Sequence, residues 1–193
     1  MKLITGSSCS CQSFSCIHSV MILDEDLYLK HIGKPVLLDA NLLLVLLSGM
    51  LGTTFFASFE RVKNDYTFAD YELLLNLISQ FRGLITTPHI LTEVSNLANK
   101  LHGTYRDAWY RKLAGFVSIG QGNSSVSEIW EPPKEFVTMA EFIKFGITDC
   151  VVARFASGGL VVTADGRLSS TLRSKGIDVL NFNELRMMQK RIQ

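Results

Sequence analysis

The residues best suited to chemistry are four acids, Asp39, Glu93, Asp149 and Asp165. Asp39 closes the apolar run Val36-Leu37-Leu38, and Asp165 lies just past the apolar run Leu160-Val161-Val162-Thr163. Glu93 sits one turn into a helix that Thr87-Pro88 starts, because proline is favoured in a first helical turn. Asp149 directly follows Thr148, which reads as a helix cap. Nothing local joins these residues. If the apolar runs are adjacent parallel strands, however, their carboxyl ends are where such sheets bind ligands, and the acids face one crevice. Converging carboxylates raise one another's pKa strongly, and a divalent cation resolves the repulsion. Hard oxygen donors suit Mg²⁺ or Mn²⁺. Such an ion lowers the pKa of a coordinated water and stabilises a leaving oxygen, so the implied reaction is hydrolysis of a phosphodiester. Each acid also has a plainer use. Asp39 suits a cap for the helix at Asn41, and Asp149 is favoured by a helix dipole. Asp165 before Gly166 is ordinary turn chemistry, and Glu93 fits a solvated helix face.

The elements that must position these acids alternate. Buried strands are expected at Val36–Leu38, Leu84–Thr86, Leu160–Thr163 and Ile177–Leu180, with one more possible strand in the loop 119–134. Helices are expected at Leu42–Met50, Tyr66–Phe81 with Asp70 as a candidate cap, Thr87 to about Leu101, and Tyr105–Phe116. Further helices are expected at Phe136–Phe145, Asp149–Phe155 and Leu168–Lys175, and Asn183 reads as the cap of a basic tail helix. Gly146 is expected to separate Phe136–Phe145 from Asp149–Phe155. Asp165-Gly166 reads as a turn, and the stretch around Phe55-Phe56 as a long loop. Short apolar strands alternating with helices imply an α/β fold: a three-layer α/β/α sandwich around a mainly parallel sheet. Residues 1–34 read as an N-terminal extension, flexible in part, and 35–193 as one domain.

Composition narrows the class. Hydrophobic residues make up 47 %, which excludes a largely disordered chain. The net charge is +1, so no global field draws the chain to nucleic acid or membrane, and any nucleic-acid partner must be recognised by a local site. Ala40 to Phe59 carries no charge and is long enough to span a bilayer. Asn41 lies inside that run, and Ser48, Gly49, Gly52, Thr53, Thr54 and Ser58 break its second half, so a buried helix is expected and no membrane anchor. With no secretory signal and one cysteine beyond residue 16, Cys150, the expected location is cytoplasmic.

Four segments resemble the PIN-domain nucleases. Val36-Leu37-Leu38-Asp39-Ala40-Asn41 looks like their opening strand, and Leu84-Ile85-Thr86-Thr87-Pro88 with Glu93 like their second strand and glutamate helix. Ile147-Thr148-Asp149-Cys150-Val151-Val152-Ala153-Arg154-Phe155-Ala156 and Leu160-Val161-Val162-Thr163-Ala164-Asp165 look like the third and fourth acidic motifs. Order and spacing match over about residues 35–182. The resemblance implies an Mg²⁺- or Mn²⁺-dependent endoribonuclease with Asp39, Glu93, Asp149 and Asp165 as metal ligands and catalytic acids. It places Asn41 and Thr163 near the metal or phosphate, and implies 5′-phosphate and 3′-hydroxyl products. Many bacterial members, the VapC-type, are toxins that cut tRNA or ribosomal RNA and are silenced by an antitoxin, and dimers are common. This chain departs from them in its front extension and in the wide gap between Glu93 and Asp149. The expected partners are therefore an RNA substrate, an antitoxin or defence protein, and a second copy of the chain.

Arg106, Arg111 and Lys112, with Tyr105, Trp109 and Tyr110 among them, offer cations for phosphates and rings for unpaired bases. The same spacing suits an amphipathic helix with Trp109 in the core. His89 suits either a substrate contact or a partner of the loop backbone. Arg186, Lys190 and Arg191 read as a solvated basic tail, with contact to RNA or a partner as the alternative. Cys9, Cys11, Cys16 and His18 are four soft ligands, enough in number for zinc but too tightly spaced for the usual knuckles. A PIN-like module that binds RNA or protein without cutting is the alternative to the nuclease.

Overall fold

Five short strands form a single all-parallel sheet in the computed structural model, which describes residues 26–119, 126–130, 132–138, 142–155 and 159–192. They are β1 (Pro35–Leu38), β2 (Gly83–Thr86), β3 (Val126–Glu128), β4 (Leu160–Thr163) and β5 (Val179–Asn181), in the order β3-β2-β1-β4-β5. β1, β2 and β4 are unbroken apolar runs because the sheet is covered on both faces. Pro35 is tolerated as the first residue of its strand. In register, Leu37 pairs with Ile85 on one side and with Val161 on the other.

Between β1 and β2 run α2 (Ala40–Gly49), α3 (Thr53–Ser58), α4 (Glu60–Lys63) and α5 (Phe68–Ile78), preceded in the chain by α1 (residues 26–31). Between β2 and β3 run α6 (Pro88–Leu97), a 3₁₀ turn and α7 (Gly103–Ile119). α8 (Phe142–Phe155) leads into β4, α9 (Gly166–Ser174) into β5, and α10 (Phe182–Ile192) follows. The chain moves outward from β1 to β3 and then resumes at β4 on the opposite side of β1. Right-handed crossovers then place the helices of the two halves on opposite faces, giving three layers, α/β/α.

Every residue of α2 except Asn41 is buried, as expected of a helix that is apolar all round. It packs on α5, α6 and the sheet, so the first half of the uncharged run belongs to the core. Among the described residues no helix is long and apolar enough to cross a membrane. Gly49 lets α5 approach: a Cβ there would lie 2.1 Å from the Tyr71 ring. α1 is tied to the domain by Tyr28, edge-on to Phe81, and by His31, whose Nε2 lies 2.7 Å from the Asp178 carboxylate.

Several boundaries differ from the sequence expectation. The stretch at Phe55-Phe56 is helical, not a loop, and it buries Phe55 and Phe56, with Phe56 edge-on to Phe68. A helix of six residues has little stability of its own, so the packing of these rings, which no local pattern reveals, decides it. The cap of α5 is Thr67. Asp70 is the third helical residue and completes a capping box by accepting from the Thr67 N–H at 2.7 Å. Gly146 does interrupt the helix pair, with φ 82° inside α8, but the second helix resumes directly after it, so Thr148 lies within the first turn. Asp165 is not in a free turn: it caps α9, accepting from the N–H groups of Arg167 and Leu168 at 2.7 and 3.0 Å. Asn183 is not the cap of α10. Its N–H donates to Asn181 Oδ1, while its own Nδ2 donates to the Ala164 carbonyl at 2.7 Å. Cys9, Cys11, Cys16 and His18 lie outside the described residues.

Candidate active site at the carboxyl edge of the sheet

The strand order reverses between β1 and β4, and the crevice outside the carboxyl ends of strands at such a point is where open α/β sheets bind ligands. Asp39 leaves β1 there, and Asp165 starts α9 just beyond β4. Glu93 arrives on α6 and Asp149 on α8, two helices that pack on each other. All four acids line one cavity of about 110 Å³, together with Asn41 and Thr148. Four separate elements therefore converge on one polar hollow.

Asp39 is the most constrained of the four. It is buried, and its Oδ1 accepts from the Leu42 N–H at 2.7 Å, capping α2. Its Oδ2 accepts from Thr163 Oγ1 at 2.5 Å and from the Ala164 N–H at 2.9 Å. Thr163 Oγ1 in turn accepts from the Asp165 N–H at 2.9 Å, so the threonine links the two acid-bearing segments. Burial pushes the Asp39 carboxyl above its ordinary value, against the lowering effect of these hydrogen bonds. Three of its roughly four lone-pair directions are used, leaving about one for a ligand.

Asp149 carries the clearest electrostatic signal. Its carboxyl is pushed up to about 7, first by burial and then by the charges of Asp165, Glu93 and Asp39. The donor set is chemically suited to a hard divalent cation, which is the ordinary remedy for such mutual repulsion. Among the described residues, no three His, Cys, Asp or Glu side chains are gathered closely enough to form a ready-made ion site.

The other sequence candidates divide. Asn41 lines the acid cavity, and its Oδ1 accepts a long 3.5 Å bond from Arg61 Nη2. Thr163 acts through Asp39, as described. Arg106, Arg111 and Lys112 do not line the acid cavity. Trp109 is fully buried, and the Arg106 guanidinium lies over the Tyr110 ring, 5.4 Å from its centre. Tyr110 is held by Ser95 and Asn99. The core reading of that helix therefore holds for Trp109. His89 packs edge-on against Phe136 and lines a second hollow of about 350 Å³ with Thr92, Asn96 and Thr148, and it shares Glu93 with the acid cavity. Its Nδ1 is buried with no hydrogen-bond partner among the described residues, so it does not serve the loop backbone.

A third hollow, of about 380 Å³, has no local signature in the chain; it opens beside the acids and shares Asn41 and Asp165 with them. Its walls include Arg61, Tyr66, Asn183 and Arg186. Arg186 is not a solvated tail residue. It holds Asp70 through Nε and Nη2 at 2.8 and 2.9 Å, donates to Asn183 Oδ1 and the Asp65 carbonyl, and lies 5.0 Å over the Tyr66 ring. Burial raises the Asp70 carboxyl, but the Arg186 and Thr67 hydrogen bonds outweigh it and hold the group below its ordinary value. Arginine 116 residues away in sequence leaves no local trace, so only a search for unpaired buried acids such as Asp70 could have pointed to it.

Compared with known proteins, the chain matches no family model, no curated protein and no solved structure.

Proposed function

We propose that this chain is a metal-dependent nuclease that hydrolyses RNA phosphodiester bonds at Asp39, Glu93, Asp149 and Asp165. The observation that carries the reading is the cavity itself: four acids from four elements line one hollow at the switch point of a parallel sheet. The residues that would hold Mg²⁺ or Mn²⁺ are these four, and a bound ion would supply Lewis-acid polarisation of a phosphodiester and compensation of developing negative charge. The chain's own groups prepare that site. Thr163, Ala164 and Leu42 fix the Asp39 carboxylate. Asp165 is held at the start of α9 by the two bonds that its Oδ1 accepts, and it lines the acid cavity. Asp149 on α8 and Glu93 on α6 line the same hollow and complete the negative field.

The resemblance to PIN-domain nucleases supplies RNA as the substrate class, internal cleavage, and 5′-phosphate and 3′-hydroxyl ends. It also supplies the finer reading of a toxin or defence ribonuclease acting on tRNA or ribosomal RNA, paired with an inhibitor protein and dimeric. One observation favours the alternative, a PIN-like binder that does not cut: most of the Asp39 lone pairs are spent inside the protein.

Asp165→Asn separates the two. Asparagine caps a helix about as well as aspartate, so α9 keeps its cap while the site loses a charge. Asp39→Asn is a poorer test, since its amide nitrogen cannot accept the bonds that Asp39 accepts on both oxygens. An RNA and single-stranded DNA panel is incubated with Mg²⁺, Mn²⁺ or EDTA. Metal-dependent RNA cutting by wild type, at least a hundredfold slower in Asp165→Asn, is expected. Equal cutting by the variant would remove the site assignment, and RNA binding without cutting by wild type would establish the binder.

A further inference from the structure

The hollow beside the acids is larger than the acid cavity and falls within the roughly 300–1,000 Å³ typical of small-ligand pockets. Its lining is mainly polar and charged, and the apolar residues behind it, Leu44, Val45 and Val62, are themselves buried. The two arginines on that rim are in different states. Arg186 is committed to Asp70, Asn183 and the Asp65 carbonyl, and its effect is to fix the Tyr66 ring and the Asn183 side chain in place. Arg61 is exposed, and among the described residues its one side-chain hydrogen bond is the long contact to Asn41. Its guanidinium therefore keeps most of its donors for a ligand.

Tyr66 is half-buried and has no hydrogen bond to its hydroxyl among the described residues. Burial, and then the Asp39 charge, push that phenol up to about 12, so it is a neutral donor throughout the working pH range. Asp65 and Asp165 also face this hollow. A free anion would meet their repulsion, whereas a phosphate reaching toward a cation at the acids would meet Arg61 on its other side. A lining of arginine, phenol and amide beside the acids suits a phosphate joined to a hydrogen-bonding sugar.

We infer that this hollow is a subsite for one 5′-phosphorylated nucleotide next to the bond being cut, with Arg61 on its phosphate and the Tyr66 hydroxyl donating to its phosphate or sugar. The inference rests on the nuclease reading and deepens it: the acids act at one end of a nucleotide that Arg61 and Tyr66 hold.

Uridine 5′-monophosphate and adenosine 5′-monophosphate are titrated calorimetrically into wild type, Arg61→Ala, Arg61→Lys and Tyr66→Phe in the presence of Mg²⁺. Uridine and inorganic phosphate are the control ligands. At least one nucleotide should bind wild type, at least tenfold more weakly to Arg61→Ala, with Arg61→Lys between them and Tyr66→Phe several-fold weaker. Uridine should not bind, and inorganic phosphate should bind at least tenfold more weakly than the nucleotide. Unchanged affinity in Arg61→Ala overturns the subsite, as does phosphate binding as tightly as nucleotide or wild type binding neither nucleotide. Arg61 is exposed, so its truncation leaves the fold intact, and a circular dichroism melt checks this. RNA cleavage by the same proteins keeps the two ideas apart. Metal-dependent cutting with Arg61-independent nucleotide binding removes the subsite alone. Arg61-dependent binding in a chain that never cuts RNA upholds nucleotide binding in this hollow but removes the nuclease and, with it, the place beside a cleaved bond.

Discussion

Neutralising Asp149 should make the protein more stable, and the size of the gain follows from the site. The Asp149 carboxyl stands at about 7 in the folded chain against 3.8 ordinarily. Between those values the folded state holds a proton that the unfolded state releases, so this group's contribution to stability falls as pH rises from about 4 to 7. Above pH 7 the full cost is present. The unscreened shift corresponds to about 4 kcal/mol, but the side chain is partly exposed, and solvent screening leaves on the order of 1–2 kcal/mol. The positive end of the helix that resumes after Gly146 returns about 0.3–1 kcal/mol to the charged form. Asp149→Asn should therefore gain on the order of 1 kcal/mol at pH 8, or roughly 2–4 °C in Tm for a chain of this size. At pH 5.5 wild-type Asp149 is largely protonated, and the gap should close. Thermal melts of both proteins at the two pH values, with EDTA and with about 10 mM Mg²⁺ or Mn²⁺, read this directly. The added ion should raise the wild-type Tm more than that of the variant. A variant no more stable than wild type at pH 8, or a gap of equal size at pH 5.5, would refute the account of mutually repelling acids.

Two further outcomes test the scaffold around the site. Thr163→Val removes the hydroxyl that donates to buried Asp39, and should cost about 1–3 kcal/mol in urea unfolding, with weaker metal binding by calorimetry. An unchanged urea midpoint would show that the Ala164 and Leu42 N–H groups suffice to hold that carboxylate. Gly49→Ala places a Cβ where the Tyr71 ring lies and should cost about 1–3 kcal/mol through the α2–α5 contact. Restored stability in the double variant Gly49→Ala with Tyr71→Ala, relative to the sum of the two single changes, would assign the loss to that contact.

The short apolar strands, the helices between them and the acids at their ends were legible in the sequence because each rests on a local cause. Unbroken runs such as Leu160–Val162 mark a doubly covered strand, Thr87-Pro88 marks a helix start, and Gly146 marks a break through its positive φ. From these, Asp39, Glu93, Asp149 and Asp165 could be named as a set before their meeting was seen. What only the tertiary structure decided is set by partners far apart in the chain. Asp39 meets Thr163 because β1 pairs with β4, 124 residues on, and that meeting spends the lone pairs of a prospective ligand. Arg186 read as tail charge, yet α10 lies against α5 and turns it into the clamp on Asp70 and Tyr66. Arg61 and Tyr66 carry no motif at all. They line a hollow because the core brings α4 and the segment after it beside Asp165 and α10. Local sequence fixes backbone propensity and the side of each element that seeks the core, whereas shared cavities and spent hydrogen bonds depend on which elements the core brings together.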